Sequence, residues 1–278
     1  MKLGEALMAA QARIAAISDS PRLDAELLFG HVSGLGRAQV YARLSEAVDT
    51  AELARFEALA ARRARGEPVA YLTGRRGFWN LDLRVSPAVL VPRPETELLV
   101  EWGLTLLAGR TGPRIADLGT GSGAIALALA GERSDARVEA TDASADALAV
   151  ARANAQALGL EQVRFTQGHW LEALAPHAYD LLVSNPPYIA HADPHLEALR
   201  FEPLTALTDG ADGLNPLREI IGGARGHLLA GGWLLVEHGY DQGAAVRELF
   251  GQAGFVDVTT RRDYGGQERA TAGRRGET

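Results

Sequence analysis

The chain has 278 residues, 47% of them hydrophobic and 23% charged, which is typical of a globular protein with one large and one small domain. The absence of cysteine excludes disulfides, thiol catalysis and cysteine-based metal sites, and it favours a reducing compartment such as the cytoplasm. The net charge of −7 argues against a protein that coats nucleic acid, and no signal peptide or membrane-spanning run is recognisable.

Residues 1–66 are predicted to form a small helical domain. Apolar residues recur at intervals of three and four from Leu3 to Ile14. Ser20-Pro21 has the pattern of a helix start, and Asp49 followed by Glu52 resembles a capping box. The region carries no catalytic cluster. It is interpreted either as a partner-recognition domain or as a scaffold that covers the larger domain.

Residues 67–93 are predicted to form a hairpin-like connector. Gly66-Glu67-Pro68 interrupts the helical pattern, and short strand-like runs follow, among them Ala70–Leu72 and Leu81–Leu83. The third domain, residues 94–278, opens with a helix that starts at Pro94, where acidic residues suit the first turn.

Strand and helix patterns alternate through this third domain. Such alternation predicts an α/β fold with a parallel, doubly wound, Rossmann-like sheet and right-handed crossovers. Residues 273–278 are expected to fray. The predicted strands are Arg114–Leu118, Arg137–Ala140, Val163–Gln167, Tyr179–Ser184, Trp233–Glu237 and Phe255–Thr260.

A glycine loop, Gly119-Thr120-Gly121-Ser122-Gly123, follows the first of these strands and opens a helix, so its backbone N–H groups are expected to face a ligand. Its spacing differs from the G-x-G-x-x-G of dinucleotide enzymes. Asp142 ends the next strand, where a carboxylate can accept both hydroxyls of a ribose. Asp117, inside the first strand, is suited to an ammonium or sulfonium group. The predicted ligand is S-adenosyl-L-methionine, with a nicotinamide cofactor as the alternative.

The tetrapeptide Asn185-Pro186-Pro187-Tyr188 follows the strand Tyr179–Ser184. Two prolines supply carbonyl acceptors without N–H donors, and they hold the preceding Asn185 in an extended geometry. An amide, two carbonyls and a flat ring suit a planar –NH2 group. The alternative is an ordinary turn at a strand end. Both this segment and the glycine loop are expected at the carboxyl edge of the sheet, where ligands of such folds bind.

The tetrapeptide together with the glycine loop resembles the amino methyltransferases that act on adenine, cytosine and glutamine amides. A longer set of segments resembles one branch, the HemK/PrmC-type peptide chain release factor glutamine N5-methyltransferases. These segments are 65–71, 77–79, 89–97, 116–123, 201–203 with 209–213, and 237–239.

The resemblance implies a class I S-adenosylmethionine-dependent methyltransferase that modifies a glutamine amide nitrogen in the Gly-Gly-Gln motif of release factors, with S-adenosyl-L-homocysteine as product. It implies that Asn185 and Pro186 act in catalysis. One departure concerns the adenine pocket, since His169 stands where the family often has an acidic residue. The implied glutamine site is Asn185, Pro186, Pro187 and Tyr188, and the implied cofactor site is Gly119, Thr120, Gly121, Ser122, Gly123, Asp142, Trp170 and Asn185.

Three other functions remain as alternatives. A ribosomal-protein glutamine methyltransferase is disfavoured by the segment Pro92–Glu97 and by the helical N-terminal domain. A DNA adenine or cytosine methyltransferase would have to flip its base, and the acidic charge and missing target-reading domain argue against it. The third alternative is a non-catalytic cofactor-binding scaffold. We expect a monomer that binds release factors. We expect it to bind no metal and no membrane, and to form no stable complex with nucleic acid.

Overall fold

The computed structural model describes residues 1–277, and the chain divides into a compact unit Met1–Arg75 and a second unit that begins at Arg76. Helices fill the first unit, as predicted. Helix α4 begins where the Asp49 carboxylate accepts hydrogen bonds from the N–H groups of Ala51 and Glu52, at 2.9 and 3.1 Å. The helices are α1 (Leu3–Ile14), α2 (Pro21–Ser33), α3 (Arg37–Ala42), α4 (Thr50–Arg63) and α5 (Val69–Thr73).

The strand-like assignment of Ala70–Leu72 is wrong, because these residues lie in α5. Three apolar residues in a row fit a strand and a helical turn equally well, so periodicity does not decide between them. Pro68 precedes the helix and suits its start, while Gly74 ends it with a left-handed φ of 71°.

A hairpin of β1 (Arg75–Phe78) and β2 (Leu81–Arg84) spans the start of the second unit, and a 3-10 turn follows at Pro94–Thr96. None of the helices between residues 1 and 277 has both the length and the apolar content that crossing a bilayer requires. The remaining elements are α6 (Glu97–Leu106), β3 (Arg114–Leu118), α7 (Ala124–Glu132), β4 (Arg137–Asp142), α8 (Ala145–Leu158), β5 (Arg164–Gln167), β6 (Tyr179–Ser184), α9 (His195–Ala198), α10 (Asn215–Ala224), β7 (Leu228–Glu237), α11 (Gly243–Gln252), β8 (Val256–Arg262) and β9 (Glu268–Arg274).

Within residues 1–277, the second unit holds a seven-stranded sheet in the order β5-β4-β3-β6-β7-β9-β8. The pairs from β5 to β7 are parallel, and the strand order reverses between β3 and β6. Leu118 at the end of β3 lies opposite Thr141 of β4 and Ser184 of β6, and Ser184 lies opposite Val236 of β7. Four strands therefore end at one level, which creates the crevice where open α/β sheets bind ligands.

The sheet is not parallel throughout, and this part of the prediction is wrong. β9 inserts between β7 and β8 and runs antiparallel to both. Gly273 and Arg274, which were expected to fray, belong to β9, while Thr278 lies outside the described residues. The strand was missed because Ala270–Gly273 carries mostly small residues, with Thr271 as its single β-branched residue and no aromatic residue.

Helices cover both faces of the sheet. Ile115, Leu181 and Leu235 pack with α6 and α7 on one face. Their neighbours in sequence point to the other face and pack with α10 and α11, as the alternation of side chains along a strand requires. The predicted doubly wound α/β fold is present, with one apolar core on each face of the sheet.

The insertion between β6 and α10 folds back onto Tyr188, in the segment that follows β6. Asp209 Oδ1 accepts hydrogen bonds from Ala211 N and Gly213 N, at 2.8 and 3.0 Å. Gly213 has a φ of 76°, and a β-carbon there would overlap the carbonyl oxygen of Tyr188. Gly210 also has a positive φ, of 77°, but a β-carbon there would meet no described atom within 4 Å.

This pair of glycines gives a matched test. Gly210→Ala should lower the free energy of unfolding by about 1–2 kcal/mol, through its left-handed φ alone. Gly213→Ala should lower it further, by an additional amount on the order of 1–3 kcal/mol, because the insertion must move away from Tyr188. Urea denaturation of both variants measures the difference. Equal losses in the two variants would contradict the close approach at Gly213.

Candidate active site

A cavity of about 680 Å³ opens at the carboxyl edge of the sheet. Its walls come from the segment after β2, from the loops after β3, β4, β5 and β6, and from the insertion. The residues that line it include Phe78, Val89, Leu90, Pro92, Arg93, Thr96, Gly119, Thr120, Gly121, Ser122, Asp142, Ser144, His169, Trp170, Asn185, Pro187, Pro203, Thr205 and Ala206.

The glycine loop needs its glycines for conformation and for space. Gly119, Gly121 and Gly123 have φ values of 71°, 54° and 86°, in the region that residues with side chains rarely adopt. A β-carbon on Gly119 would lie 2.8 Å from the ring of Trp170. The N–H groups of Gly119 and Thr120 both donate to Thr141 O, at 2.9 Å each. Two N–H groups of the loop thus hold it against the end of β4.

Asp142 joins the glycine loop to the end of β4. Its Oδ2 accepts from Gly121 N at 2.9 Å, and its Oδ1 accepts from Ser144 N at 2.8 Å. Each oxygen of a carboxylate can accept a second hydrogen bond. Asp142 is therefore fixed by two backbone donors and still has acceptor capacity at the cavity wall.

Asp117 does not take the place expected for it beside a ligand. It is 0% exposed and is not among the described residues that line the cavity. Its Oδ2 accepts from Thr120 Oγ1 at 2.6 Å and from Ala126 N at 3.2 Å. Burial raises the pKa of Asp117 to about 7, although these hydrogen bonds favour the charged form. Asp117 supports the loop and the first turn of α7 from behind.

Trp170 and His169 form the wall next to the glycine loop. Trp170 has a φ of 45°, and its carbonyl accepts a hydrogen bond from Thr141 Oγ1 at 3.1 Å. His169 Nδ1 lies 3.1 Å from Glu219 Oε1, so the residue that departs from the family pattern has an acidic neighbour on α10.

The tetrapeptide has two of its four residues at the cavity, Asn185 and Pro187. Asn185 is half-buried, and its Nδ2 donates to Thr96 Oγ1 at 3.1 Å. Pro186 is buried, and the hydroxyl of Tyr188 donates to Glu237 Oε1 at 3.1 Å. Burial and the neighbouring Glu237 raise the pKa of Tyr188. Of the predicted site residues, Gly123, Pro186 and Tyr188 lie outside the cavity lining formed by residues 1–277.

Sequence reasoning gave no role to Glu237, the last residue of β7. It is 1% exposed, and its Oε2 has no hydrogen-bond partner among residues 1–277. Burial raises the pKa of Glu237 to about 7, against the opposing effects of Thr96, Tyr188 and Arg269. One signal was available. A carboxylate at the carboxyl end of an otherwise apolar strand lies where such sheets hold functional groups.

Glu202 was missed as well, although its segment was noted in the resemblance. Its buried carboxylate accepts from Val91 N at 2.9 Å and from the guanidinium of Arg93. This contact joins two walls of the cavity, the segment before α6 and the 3-10 turn at Leu204–Ala206 that follows Glu202. Nothing in the local sequence pattern pairs these segments.

Residues 1–277 contain no group of three or more histidine, aspartate or glutamate side chains arranged to hold a metal ion. The polar groups at the cavity include the anchored carboxylate of Asp142, the amide of Asn185 and several hydroxyls, together with the backbone of the glycine loop. This set can hold hydroxyls and an –NH2 group, and it can position two small molecules side by side.

Comparison with known families identifies both parts of the chain. Residues 5–74 match the family described as "PrmC N-terminal domain", and residues 95–201 match the family described as "Methyltransferase small domain". The release factor glutamine methyltransferase of Xylella fastidiosa (strain Temecula1) is 54% identical over 255 residues, which cover 91% of this chain and 93% of that protein. The Escherichia coli (strain K12) protein of the same name is 49% identical over 259 residues, covering 92% and 93%.

Solved structures show the same fold at low sequence identity. A methyltransferase from Pyrococcus furiosus has a TM-score of 0.53 at 19% identity, covering 78% of this chain and 97% of that chain. A ribosomal protein L11 methylase from Lactobacillus delbrueckii has a TM-score of 0.51 at 22% identity, covering 70% and 85%. The predicted Rossmann-like class I methyltransferase fold with a helical N-terminal domain is confirmed.

Glu237 predicts a pH-dependent stability difference. Its pKa is about 7 in the folded protein against 4.5 ordinarily, so the folded state binds the proton more tightly between these values. Wild type should therefore lose stability relative to Glu237→Gln as the pH rises from about 4.5 to about 7, by an amount on the order of 1–3 kcal/mol, with no further change above. Urea denaturation of both proteins across this range gives the difference. A difference that does not vary with pH contradicts the prediction.

Proposed function

This chain belongs to the release factor glutamine methyltransferase family, and we propose that it transfers a methyl group from S-adenosyl-L-methionine to the side-chain amide nitrogen of a glutamine in a peptide chain release factor. The observation that carries the proposal is that the glycine loop and Asn185, which follow the neighbouring strands β3 and β6, meet at one cavity. A methyl donor and an amide acceptor would each find suitable groups there.

The cavity suits the proposed cofactor. About 680 Å³ is within the range of small-molecule sites. Asp142 would accept the ribose hydroxyls, and the bare backbone from Gly119 to Gly121 would allow the amino-acid part to approach closely. Thr120, Ser122 and Gly123 would complete this wall, while Trp170 would flank the adenine. When bound, S-adenosyl-L-methionine supplies a methyl group that is activated by its positively charged sulfur.

The protein's own task in the reaction is to orient a weak nucleophile. An amide nitrogen reacts poorly because its lone pair is delocalised into the carbonyl. Asn185 Oδ1 and the Pro186 carbonyl would each accept one N–H of the substrate –NH2 group, with Pro187 and Tyr188 shaping the site around it. This would fix the nitrogen with its lone pair toward the methyl group. The new N–C bond forms as the S–C bond breaks, and one amide proton then leaves to water. Positioning and fixed dipoles provide the acceleration.

The proposed substrate is the glutamine of the Gly-Gly-Gln motif. Residues 1–66 would recognise the release factor, and residues 94–278 would catalyse the transfer. Residues 67–93 would connect these two domains. We propose a monomer that acts in the cytoplasm, where translation takes place, without a metal ion or stable nucleic-acid binding.

Incubation of the protein with isotope-labelled S-adenosyl-L-methionine and a purified release factor tests the function directly. The expected result is one added methyl group, mapped by mass spectrometry to the glutamine of the Gly-Gly-Gln motif. A release factor with that glutamine changed to alanine is the matched control. Methylation of a ribosomal protein or of DNA oligonucleotides, with none on the release factor, would overturn the proposal.

Asn185→Ala should reduce turnover by about 2–4 kcal/mol of transition-state stabilisation, the loss typical of one oriented hydrogen-bonding group. Single-turnover rates at saturating cofactor measure the effect, and circular dichroism checks that the variant is folded. Near-normal turnover with unchanged cofactor binding would remove Asn185 from the proposed mechanism.

Asp142→Ala should weaken cofactor binding about tenfold to a hundredfold, since hydrogen bonds to a charged acceptor contribute roughly 1.5–3 kcal/mol. Isothermal titration calorimetry with S-adenosyl-L-homocysteine gives the dissociation constants. Asp241→Ala, which removes an exposed carboxylate outside the cavity lining, is the control. Equal affinities for the two variants would argue against a role for Asp142.

A further inference from the structure

The side-chain amide of Asn185 has two different ends, and its orientation decides what it can do. With Oδ1 toward the cavity it accepts a hydrogen bond from an –NH2 group, and with Nδ2 toward the cavity it repels one. Nδ2 is engaged within the protein, because it donates to Thr96 Oγ1 at 3.1 Å, and Oδ1 is the end that remains to accept from a ligand. A threonine hydroxyl can either donate or accept. In the observed contact the Thr96 hydroxyl accepts, so this contact decides which end of the Asn185 amide is left for the substrate.

Glu237 lies at the end of the neighbouring strand. Its strand β7 pairs with β6, which ends just before Asn185, and Val236 lies opposite Ser184. Its Oε2 is buried and has no hydrogen-bond partner among the described residues.

The same carboxylate also holds the other end of the tetrapeptide. Tyr188 donates its hydroxyl hydrogen to Glu237 Oε1 at 3.1 Å, and the Tyr188 carbonyl accepts from Gln242 Nε2 at 3.0 Å. Glu237 is thus in direct contact with Tyr188. Thr96 itself is only 4% exposed and is the last residue of the 3-10 turn before α6, so its backbone has little freedom to move.

We propose that Thr96 is a positioning residue that fixes the Asn185 amide with Oδ1 toward the substrate. The inference rests on the proposed function, because it assigns the orientation of the group that would grip the glutamine amide. The Thr96 hydroxyl accepts from Asn185 Nδ2, which leaves Oδ1 as the end of the amide that can accept from the substrate.

Thr96→Val and Thr96→Ser separate the hydroxyl from the shape of the side chain. Valine keeps the volume and removes the acceptor, so kcat should fall ten- to hundredfold while the Kd for S-adenosyl-L-homocysteine changes less than threefold. Serine keeps the hydroxyl and should restore kcat to within threefold of wild type. Wild-type activity in Thr96→Val, or an equal loss of activity in both variants, would overturn the proposal.

Thr96 also lines the cavity, so a direct contact with the substrate must be distinguished from action through Asn185. Thr96→Val in an Asn185→Ala background makes this distinction, because residues that act as a unit are not additive. The double variant should have the kcat of Asn185→Ala alone. A further tenfold loss would show that Thr96 acts on the substrate independently and would overturn the positioning role.

Thr271→Val is the control for the substitution itself. Thr271 is also fully buried in the second unit, and its hydroxyl contacts His238 Nε2 and Thr260 Oγ1, outside the cavity lining. Its kcat should stay within threefold of wild type, and a loss as large as that of Thr96→Val would overturn the specific role of Thr96. Because the wild-type rate on the release factor is measured in the same series, failure of the proposed function would appear as an inactive wild type. Failure of the present inference would appear as an active wild type with an unaffected Thr96→Val.

Discussion

The register of the parallel strands sets Leu118 opposite both Thr141 and Ser184, and Ser184 opposite Val236. The next residue along each strand therefore lies at the same edge. In a strand, a slip of one residue turns every side chain to the other face. Such a slip in β6 would move Asn185 away from Thr96 and leave Glu237 without its neighbours. The residues at or just after the four strand ends are Gly119, Asp142, Asn185 and Glu237.

Two buried carboxylates support this edge from outside the cavity lining. Asp117 holds Thr120 of the glycine loop, and Glu237 holds Tyr188 of the tetrapeptide. Burial opposes the charge of both and raises the pKa of each to about 7. Near neutral pH, such groups lower the stability of the folded protein while ordering the side chains around them. Functional sites commonly order their side chains in this way at a cost in the stability of the folded protein.

The sequence was sufficient to predict the features that depend on short, contiguous stretches of the chain. The glycine loop, Asp142 and the tetrapeptide are short motifs at strand ends, and the alternation of elements predicted the layers of the fold. The contacts between motifs were beyond such reasoning because they join distant parts of the chain. Asn185 lies 89 residues from Thr96, and Val91 lies 111 residues from Glu202. β9 was missed for a different reason, since its small residues become a strand only through their two neighbours.

The position of β9 in the sheet has a consequence for how the protein is made. A ribosome releases a chain from its N-terminus, so the strands from β3 to β7 emerge before β9 exists. β7, which ends in Glu237, gains its second neighbour only when β9 pairs with it, from Trp233 opposite Arg274 to Glu237 opposite Ala270. During synthesis the edge of β7 is open to pairing with other chains until then. The strand that holds Glu237 against Tyr188 can therefore complete its pairing only once residues 270–274 have been made.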